Sequence, residues 1–96
     1  MRKISFKFSA DHMKAFATAI NMEIEERKTK QGLIYYLLIE IFEKLQLKLF
    51  YIKDNYNVKF SLAQAKAITH CQFNHIGIYE SEVMRTLIFV IDRELT

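Results

Sequence analysis

The sequence predicts an α+β fold in which a β-α-α unit occurs twice (βααβαα), with a two-stranded antiparallel ribbon packed on four helices. Three observations lead to this fold class. Two short segments alternate apolar and polar residues, each is followed by a serine and an apolar helical repeat, and each half has one glycine before a second apolar helix. The 96 residues suffice for one small core. We therefore expect a single domain, residues 1–96, with halves at 2–52 and 55–95.

The first unit begins with a strand, because Ile4, Phe6 and Phe8 alternate with polar residues at the period of a half-buried strand. Ser9 favours a helix N-cap, and Asp11 favours the first turn through the helix dipole. Apolar residues at helical spacing follow: Met13, Phe16, Ala17, Ile20 and Ile24. A strand therefore leads directly into a helix.

The second unit repeats this order. Tyr56, Val58 and Phe60 alternate with polar residues, Ser61 caps the next helix, and Gln64 completes a capping box. An offset of 52 residues aligns the two strand-to-helix junctions, including identical Lys-Phe-Ser triplets that begin at residues 7 and 59. The match indicates an internal duplication.

Gly32 and Gly77 are the only glycines, and each follows a first helix. We therefore expect both at a C′ position in the left-handed backbone region. Second helices are predicted from Leu33 to about Phe50 and from a Ser81 cap to Leu95, because apolar residues recur there at helical spacing. Each unit thus has a second helix after its glycine.

The second helices leave two details to be tested. An offset of 49 residues aligns Leu38 with Leu87, which predicts that the first unit has the longer connection between its helices, at Thr29–Gln31. Residues 45–52 and 87–91 fit a strand as well as a helix on short-range periodicity. The helix is the preferred interpretation in both segments.

Both second helices are apolar nearly all round, a pattern typical of helices buried on all sides. We therefore expect them at the centre, packed on each other. Surplus apolar surface and the open edges of a two-stranded ribbon predict a homodimer or another protein partner. The candidate interface comprises apolar side chains of these helices: Tyr35, Ile39, Phe42, Ile88 and Phe89.

A strand with a polar outward face, followed by two helices, resembles the unit of the ribbon-helix-helix DNA-binding proteins, which pair two such strands. The resemblance implies that the ribbon enters the major groove and that its outward side chains contact bases. None of these side chains is acidic here: Lys3, Ser5, Lys7, Asn55, Asn57 and Lys59. The resemblance also implies that the starts of the second helices contact phosphates. Lys30 and Gln31 fit this role in the first unit, whereas Glu80 and Glu82 would repel phosphate in the second.

Composition excludes several classes of protein. The longest apolar run, residues 33–39, is far shorter than the roughly 20 residues that span a bilayer. Cys71 is the only cysteine, and residues 1–8 lack an apolar signal segment, so we expect a cytoplasmic protein without disulfides. The net charge of +3 permits an anionic partner.

Few residues suggest chemistry. Cys71 and His75 would share a face of a continuous helix at a spacing that metal ligands use, but a structural zinc site needs four ligands. The sequence has no glycine-rich phosphate loop and no acid pair suited to acid-base catalysis. We therefore expect no enzymatic activity, metal, cofactor or small-molecule substrate.

Two hypotheses for the function follow. The first is a non-enzymatic interaction or structural protein that self-associates through its apolar second helices or strand edges. The alternative is a DNA-binding protein of ribbon-helix-helix type, in which the ribbon lysines contact phosphates or guanine edges and Asn57 contacts adenine. The first is preferred because Glu80 and Glu82 make the implied phosphate contacts unequal.

Overall fold

The computed structural model describes residues 3–74 and 76–95. Two strands and four helices follow one another in these residues: β1 (Lys3–Ser9), α1 (Ala10–Glu26), α2 (Leu33–Leu49), β2 (Asn55–Ser61), α3 (Leu62–His70) and α4 (Ile78–Leu95). β1 and β2 pair in an antiparallel sheet. The predicted α+β fold with two β-α-α units is confirmed.

The register of the ribbon reflects the duplication. Phe6 lies opposite Val58, its equivalent in the other unit at the offset of 52 residues. Pairs on either side of this centre are also equivalent to each other: Ile4 with Phe60, and Phe8 with Tyr56. A pairing centred on two equivalent residues is what a local two-fold axis between the units requires. These side chains face the core, which leaves the alternate positions pointing outward.

Both predicted serine caps are confirmed. Ser9 Oγ accepts a hydrogen bond from the backbone N–H of His12 at 3.2 Å. Ser61 Oγ accepts one from the N–H of Gln64 at 3.1 Å, and the Gln64 side chain accepts one from the Ser61 N–H at 3.1 Å. The second unit therefore has a complete capping box, whereas the first has only its serine half.

The first helices, not the second, occupy the centre of the helical layer. α1 buries apolar side chains along most of its length and contacts both α2 and α4. Within the described residues α2 and α4 do not contact each other, and each packs instead on α1 and α3. The prediction that the second helices pack together was wrong. Their inner faces alone fill this small core, so their outer apolar side chains stay in solvent.

Buried side chains correct the alignment of the second helices. Each helix has three buried residues at successive spacings of three and four, and α4 buries Val83 besides: Leu38, Ile41 and Leu45 in α2, and Met84, Leu87 and Ile91 in α4. Leu38 therefore corresponds to Met84 and not to Leu87. The expectation of a longer connection at Thr29–Gln31 was also wrong. The units differ in length mainly because α1 has 17 residues and α3 has 9.

The two glycines begin the second helices. Gly32 is the N-cap of α2 with extended backbone (φ −162°, ψ −170°), and the Gly77 carbonyl accepts a hydrogen bond from Ser81 N at 2.9 Å. Neither glycine has a positive φ, so the predicted left-handed C′ positions were wrong. α4 accordingly begins at Ile78, three residues before the predicted Ser81 cap. α2 continues to Leu49 and residues 87–91 are helical, which confirms the preferred interpretation there, whereas residues 50–52 lie beyond the helix.

Candidate nucleic-acid interface

The outward face of the ribbon is a continuous polar surface. Strand alternation points every second side chain of β1 and β2 away from the core, and the exposed outward residues are Lys3, Ser5, Lys7, Ser9, Asn55, Asn57 and Lys59. The fold therefore brings together all the ribbon residues that the sequence singled out. None of them carries a negative charge at any pH. We refer to this set as the outward ribbon face.

Positive and neutral residues alternate across the two strands. Lys7 lies opposite Asn57, and Ser5 lies opposite Lys59. Lys3 lies opposite Ser61. No two lysines face each other directly, so the arrangement avoids the repulsion that like charges in opposed positions cause. The outward ribbon face thus presents three separate ammonium groups, each beside a neutral side chain that can donate a hydrogen bond.

Helix α2 places a further basic group beside the ribbon. Lys44 Nζ donates to the Lys59 carbonyl at 2.6 Å and to Gln64 Oε1 at 3.2 Å. Partial burial lowers the pKa of Lys44, and the nearby ammonium groups of Lys3 and Lys48 lower it further. The Glu40 carboxylate opposes this shift, and the three cations outnumber it, which leaves a positive potential here. This group was not predictable from the sequence, because α2 and the ribbon meet only in the folded chain.

A groove beside β2 extends the polar surface. Lys48 and Lys53 line it together with Tyr51, which is 65% exposed, and with Asn55 and Asn57 of the ribbon. Exposed aromatic rings next to cations are a common arrangement for stacking on nucleic-acid bases. The groove therefore continues the outward ribbon face with a ring and two more ammonium groups.

The starts of the two second helices differ in charge. Lys30 and Gln31 are exposed before α2, whose first turn has neither an acidic residue nor a side-chain cap. The first turn of α4 contains Glu80, and a Cβ added at Gly77 would lie 2.5 Å from Glu80 Oε1. The Glu80 carboxylate therefore folds back over the start of its own helix. The start of α2 therefore presents backbone N–H groups that attract an anion, whereas the start of α4 presents a negative charge that repels it.

The predicted apolar interface is only partly exposed. Tyr35, Ile39, Phe42 and Ile88 are half-buried against the core, whereas Phe89 is 66% exposed. Four exposed apolar side chains follow one another closely in the sequence at the end of α2: Leu47, Phe50, Tyr51 and Ile52. We refer to these four as the α2-end cluster. The sequence did not predict it, because a helix that is apolar nearly all round does not reveal which face points outward.

Cys71 does not form the helical pair considered with His75. α3 ends one residue earlier, and Cys71 has extended backbone (φ −89°, ψ 143°), while His75 lies outside the described residues. The Cys71 thiol donates to the Ala67 carbonyl at 3.2 Å. Burial, assisted by the Glu23 carboxylate, raises the pKa of Cys71 to about 11, so the thiol is protonated and unreactive near neutral pH.

No family model, curated protein or solved structure matches the chain. Over residues 3–74 and 76–95, no cluster of three or more His, Cys, Asp or Glu side chains could hold a metal ion. None of the helices in that part of the chain is long and apolar enough to cross a bilayer. The outward ribbon face and the α2-end cluster are two exposed surfaces open to a partner.

Proposed function

We propose that the chain is a non-enzymatic DNA-binding protein whose ribbon lies in the major groove with its outward face toward the bases. The observation that carries this proposal is the outward ribbon face itself, whose seven side chains are all exposed and include three lysines and no carboxylate. Solvated strand faces are usually polar, but they usually mix both signs of charge. The absence of acids on both paired strands favours an anionic partner.

The dimensions of the ribbon suit a groove of B-form DNA. Strands of seven residues extend about 24 Å at 3.4 Å per residue. The major groove, roughly 12 Å wide, admits a two-stranded ribbon. In that position lysine donates to the O6 and N7 acceptors of guanine, and the side-chain amide of Asn57 pairs with N6 and N7 of adenine. In this proposal a single chain supplies both units of a ribbon-helix-helix protein.

Basic residues outside the ribbon would contact the phosphate backbone. Lys44 of α2 lies beside Lys59, Lys48 and Lys53 line the groove along β2, and Lys30 precedes the open start of α2. Phosphate contacts position a protein without specifying sequence, and each makes the slope of log affinity against log salt concentration steeper by about 0.9. The proposal therefore predicts affinity that falls steeply with salt.

The proposal is tested by fluorescence anisotropy with a labelled random-sequence duplex of about 20 base pairs, across a salt titration. The ribbon variant is Lys3→Glu/Lys7→Glu/Lys59→Glu. The matched control, Lys14→Glu/Lys28→Glu/Lys66→Glu, makes the same charge change at exposed lysines away from the ribbon. We expect the ribbon variant to bind about 100-fold more weakly at low salt and the control to lose about tenfold at most.

Two outcomes would overturn the proposal. Equal losses in the ribbon variant and its control would mean that only the net charge matters. A wild-type protein that binds no duplex at low salt would exclude DNA as the partner. Circular dichroism of each variant shows whether it keeps the fold.

Self-association is a second candidate function, and the α2-end cluster favours it. Ile52 is 99% exposed and Phe50 is 79% exposed, and groups of exposed apolar side chains commonly mark protein interfaces. Sedimentation of the wild type and of Phe50→Lys/Ile52→Lys tests this candidate, with Phe89→Lys as the control. A concentration-dependent dimer that only the double variant abolishes would support it. A wild type that sediments as a monomer at every concentration would exclude it.

A further inference from the structure

A cavity of about 160 Å³ lies between β1, α1 and α4. Its floor is apolar and consists of Phe6, Phe8 and Val83, of which Phe8 is 1% exposed. The rings of Phe6 and Phe8 are tilted, with centroids 4.5 Å apart. A cavity of about 150 Å³ with such a lining is large enough for one benzene ring. The floor therefore fits a small aromatic or aliphatic group.

The rim of the cavity is polar and bears one formal charge. His12 and Tyr79 form one side of the rim, with ring centroids 5.9 Å apart. Glu82 and Thr86 form the other side, and both are exposed. The Thr86 hydroxyl donates to the Glu82 main-chain carbonyl at 3.1 Å, which leaves its oxygen free to accept a hydrogen bond. In the described part of the chain, no cation pairs with the Glu82 carboxylate.

The equivalent place beneath β2 is closed by the chain's own side chains. There Gln64 of α3 stands where α1 has His12, and Glu40 of α2 stands where α4 has Thr86. Gln64 Nε2 donates to Glu40 Oε1 at 3.3 Å, and Gln64 Oε1 accepts from Lys44 Nζ at 3.2 Å. Gln64 thus links the Glu40 carboxylate to the Lys44 ammonium, whose charge Glu40 favours, and these groups complete this seam.

Among the described residues that line the cavity beneath β1, none is an equivalent lysine. Val90 occupies the position of Lys44, so the ammonium is lost, while Glu82 keeps a carboxylate at the mouth of the open cavity. A carboxylate beside aromatic rings is the usual environment for an organic ammonium ion. The lining carries no arginine or lysine that would favour an anion.

We propose that this cavity binds a small organic cation, with its ammonium group at Glu82 and Thr86 and its apolar body on Phe6, Phe8 and Val83. A primary amine on a single aromatic ring matches both the volume and the position of the charge. The ligand would contact the inner side of β1, directly behind the outward ribbon face. The site is distinct from that face and does not depend on DNA binding.

The proposal is tested by NMR titration of the labelled protein with 2-phenylethylammonium, with neutral 2-phenylethanol and anionic 3-phenylpropionate as matched probes. We expect saturable shifts at Phe6, His12 and Thr86 with the amine, and binding about tenfold weaker for the alcohol. Binding of the alcohol or the acid as tight as that of the amine would overturn the proposal. So would the absence of saturable shifts with the amine.

Two variants locate the site. Glu82→Gln should weaken amine binding about tenfold, whereas Glu43→Gln, an equal charge change on the exposed side of α2, should leave it unchanged. Thr86→Phe places a ring at the exposed mouth of the cavity and should abolish binding. Because both positions on α4 are exposed, the fold should persist, and the amide spectrum shows whether it does. Unchanged amine affinity in either α4 variant would contradict the assignment.

Discussion

Two equivalent seams join the units: α2 packs with α3 beneath β2, and α4 packs with α1 beneath β1. Both seams pack on apolar strand residues at equivalent positions, but the polar residues that the helices place beside them differ. Gln64 joins Lys44, Glu40 and the Ser61 cap in the first of these seams, whereas His12 stacks on Tyr79 beside an open cavity in the second. The repeated core positions therefore specify the fold, whereas the polar residues differ and leave one seam closed and the other with an open cavity.

The first helices differ in a second way. α1 continues for 17 residues, while α3 stops after 9 and leaves Cys71 buried near Glu23 of α1. The end of the long helix therefore covers the end of the short one. The two-fold relation seen in the ribbon is thus lost toward the opposite side of the molecule.

The largest expected effect tests the corrected alignment of α2 with α4. Leu45 and Ile91 are both fully buried at equivalent positions. Leu45→Ala and Ile91→Ala should each lower the free energy of unfolding by about 2–5 kcal/mol, because each leaves a cavity. Glu94, which the offset of 49 residues pairs with Leu45, should tolerate Ala with a loss below about 1 kcal/mol. Urea denaturation measures all three, and a loss below about 1 kcal/mol for Ile91→Ala would contradict the alignment.

The second-largest effect concerns the alkylation rate of Cys71, which is buried at the C-terminal end of α3. A pKa of about 11 leaves about 100-fold less thiolate at pH 8 than the ordinary value of 9 would give. Iodoacetamide should therefore label Cys71 in the native protein about 100-fold more slowly than in the urea-unfolded chain. A raised pKa favours the protonated form, so the native rate should rise about tenfold per pH unit up to pH 11. Equal rates in the native and unfolded states would show that this end of α3 is open.

A smaller effect compares the equivalent residues Gln64 and His12. Gln64→Ala should lower the free energy of unfolding by about 2 kcal/mol, because it removes half of the capping box and the partner of Lys44. His12→Ala should lower the free energy of unfolding by less than about 1 kcal/mol. The ring is exposed, and the backbone N–H of residue 12 can still donate to Ser9 Oγ. Thermal denaturation of both variants checks the difference. Equal losses would mean that the seams do not differ in energy.

The smallest effect tests whether a capping box like that of Ser61 and Gln64 would also stabilise the first unit. His12→Gln creates the serine-to-glutamine spacing of a capping box at Ser9. The variant should gain about 0.5 kcal/mol of unfolding free energy, since one more backbone N–H at the helix start finds an acceptor. Thermal denaturation measures the gain, with His70→Gln as the control at an exposed site. A loss in His12→Gln would show that the ring contact with Tyr79 matters more than the cap.

Local sequence patterns predicted most of the fold. Strand alternation around Val58 and the serine caps at Ser9 and Ser61 depend on neighbours in the chain, and both were confirmed. The packing of α2 and α4 was predicted wrongly, since an apolar surface does not state which helix will cover it. Gly32 and Gly77 were misplaced for a related reason. A glycine between two helices fits the end of one as well as the start of the next.

The site residues, too, were predictable where they lie in one segment and not where folding brings distant segments together. Lys3, Lys7 and Lys59 were predictable because strand period alone places them on one face. The Lys44 group and the cavity beside Glu82 join elements far apart in the sequence, and no spacing within one segment indicates them. Residues that act together across elements become visible only in the folded chain.

The most direct test of the ribbon proposal is an NMR titration of the ¹⁵N-labelled protein with a non-specific duplex of about 16 base pairs at low salt. The account predicts that the largest amide shifts fall on the outward residues of β1 and β2 and at the start of α2, and that α4 is nearly unaffected. Shifts confined to the α2-end cluster, or to α4, would contradict the proposal that the ribbon is the surface that meets DNA.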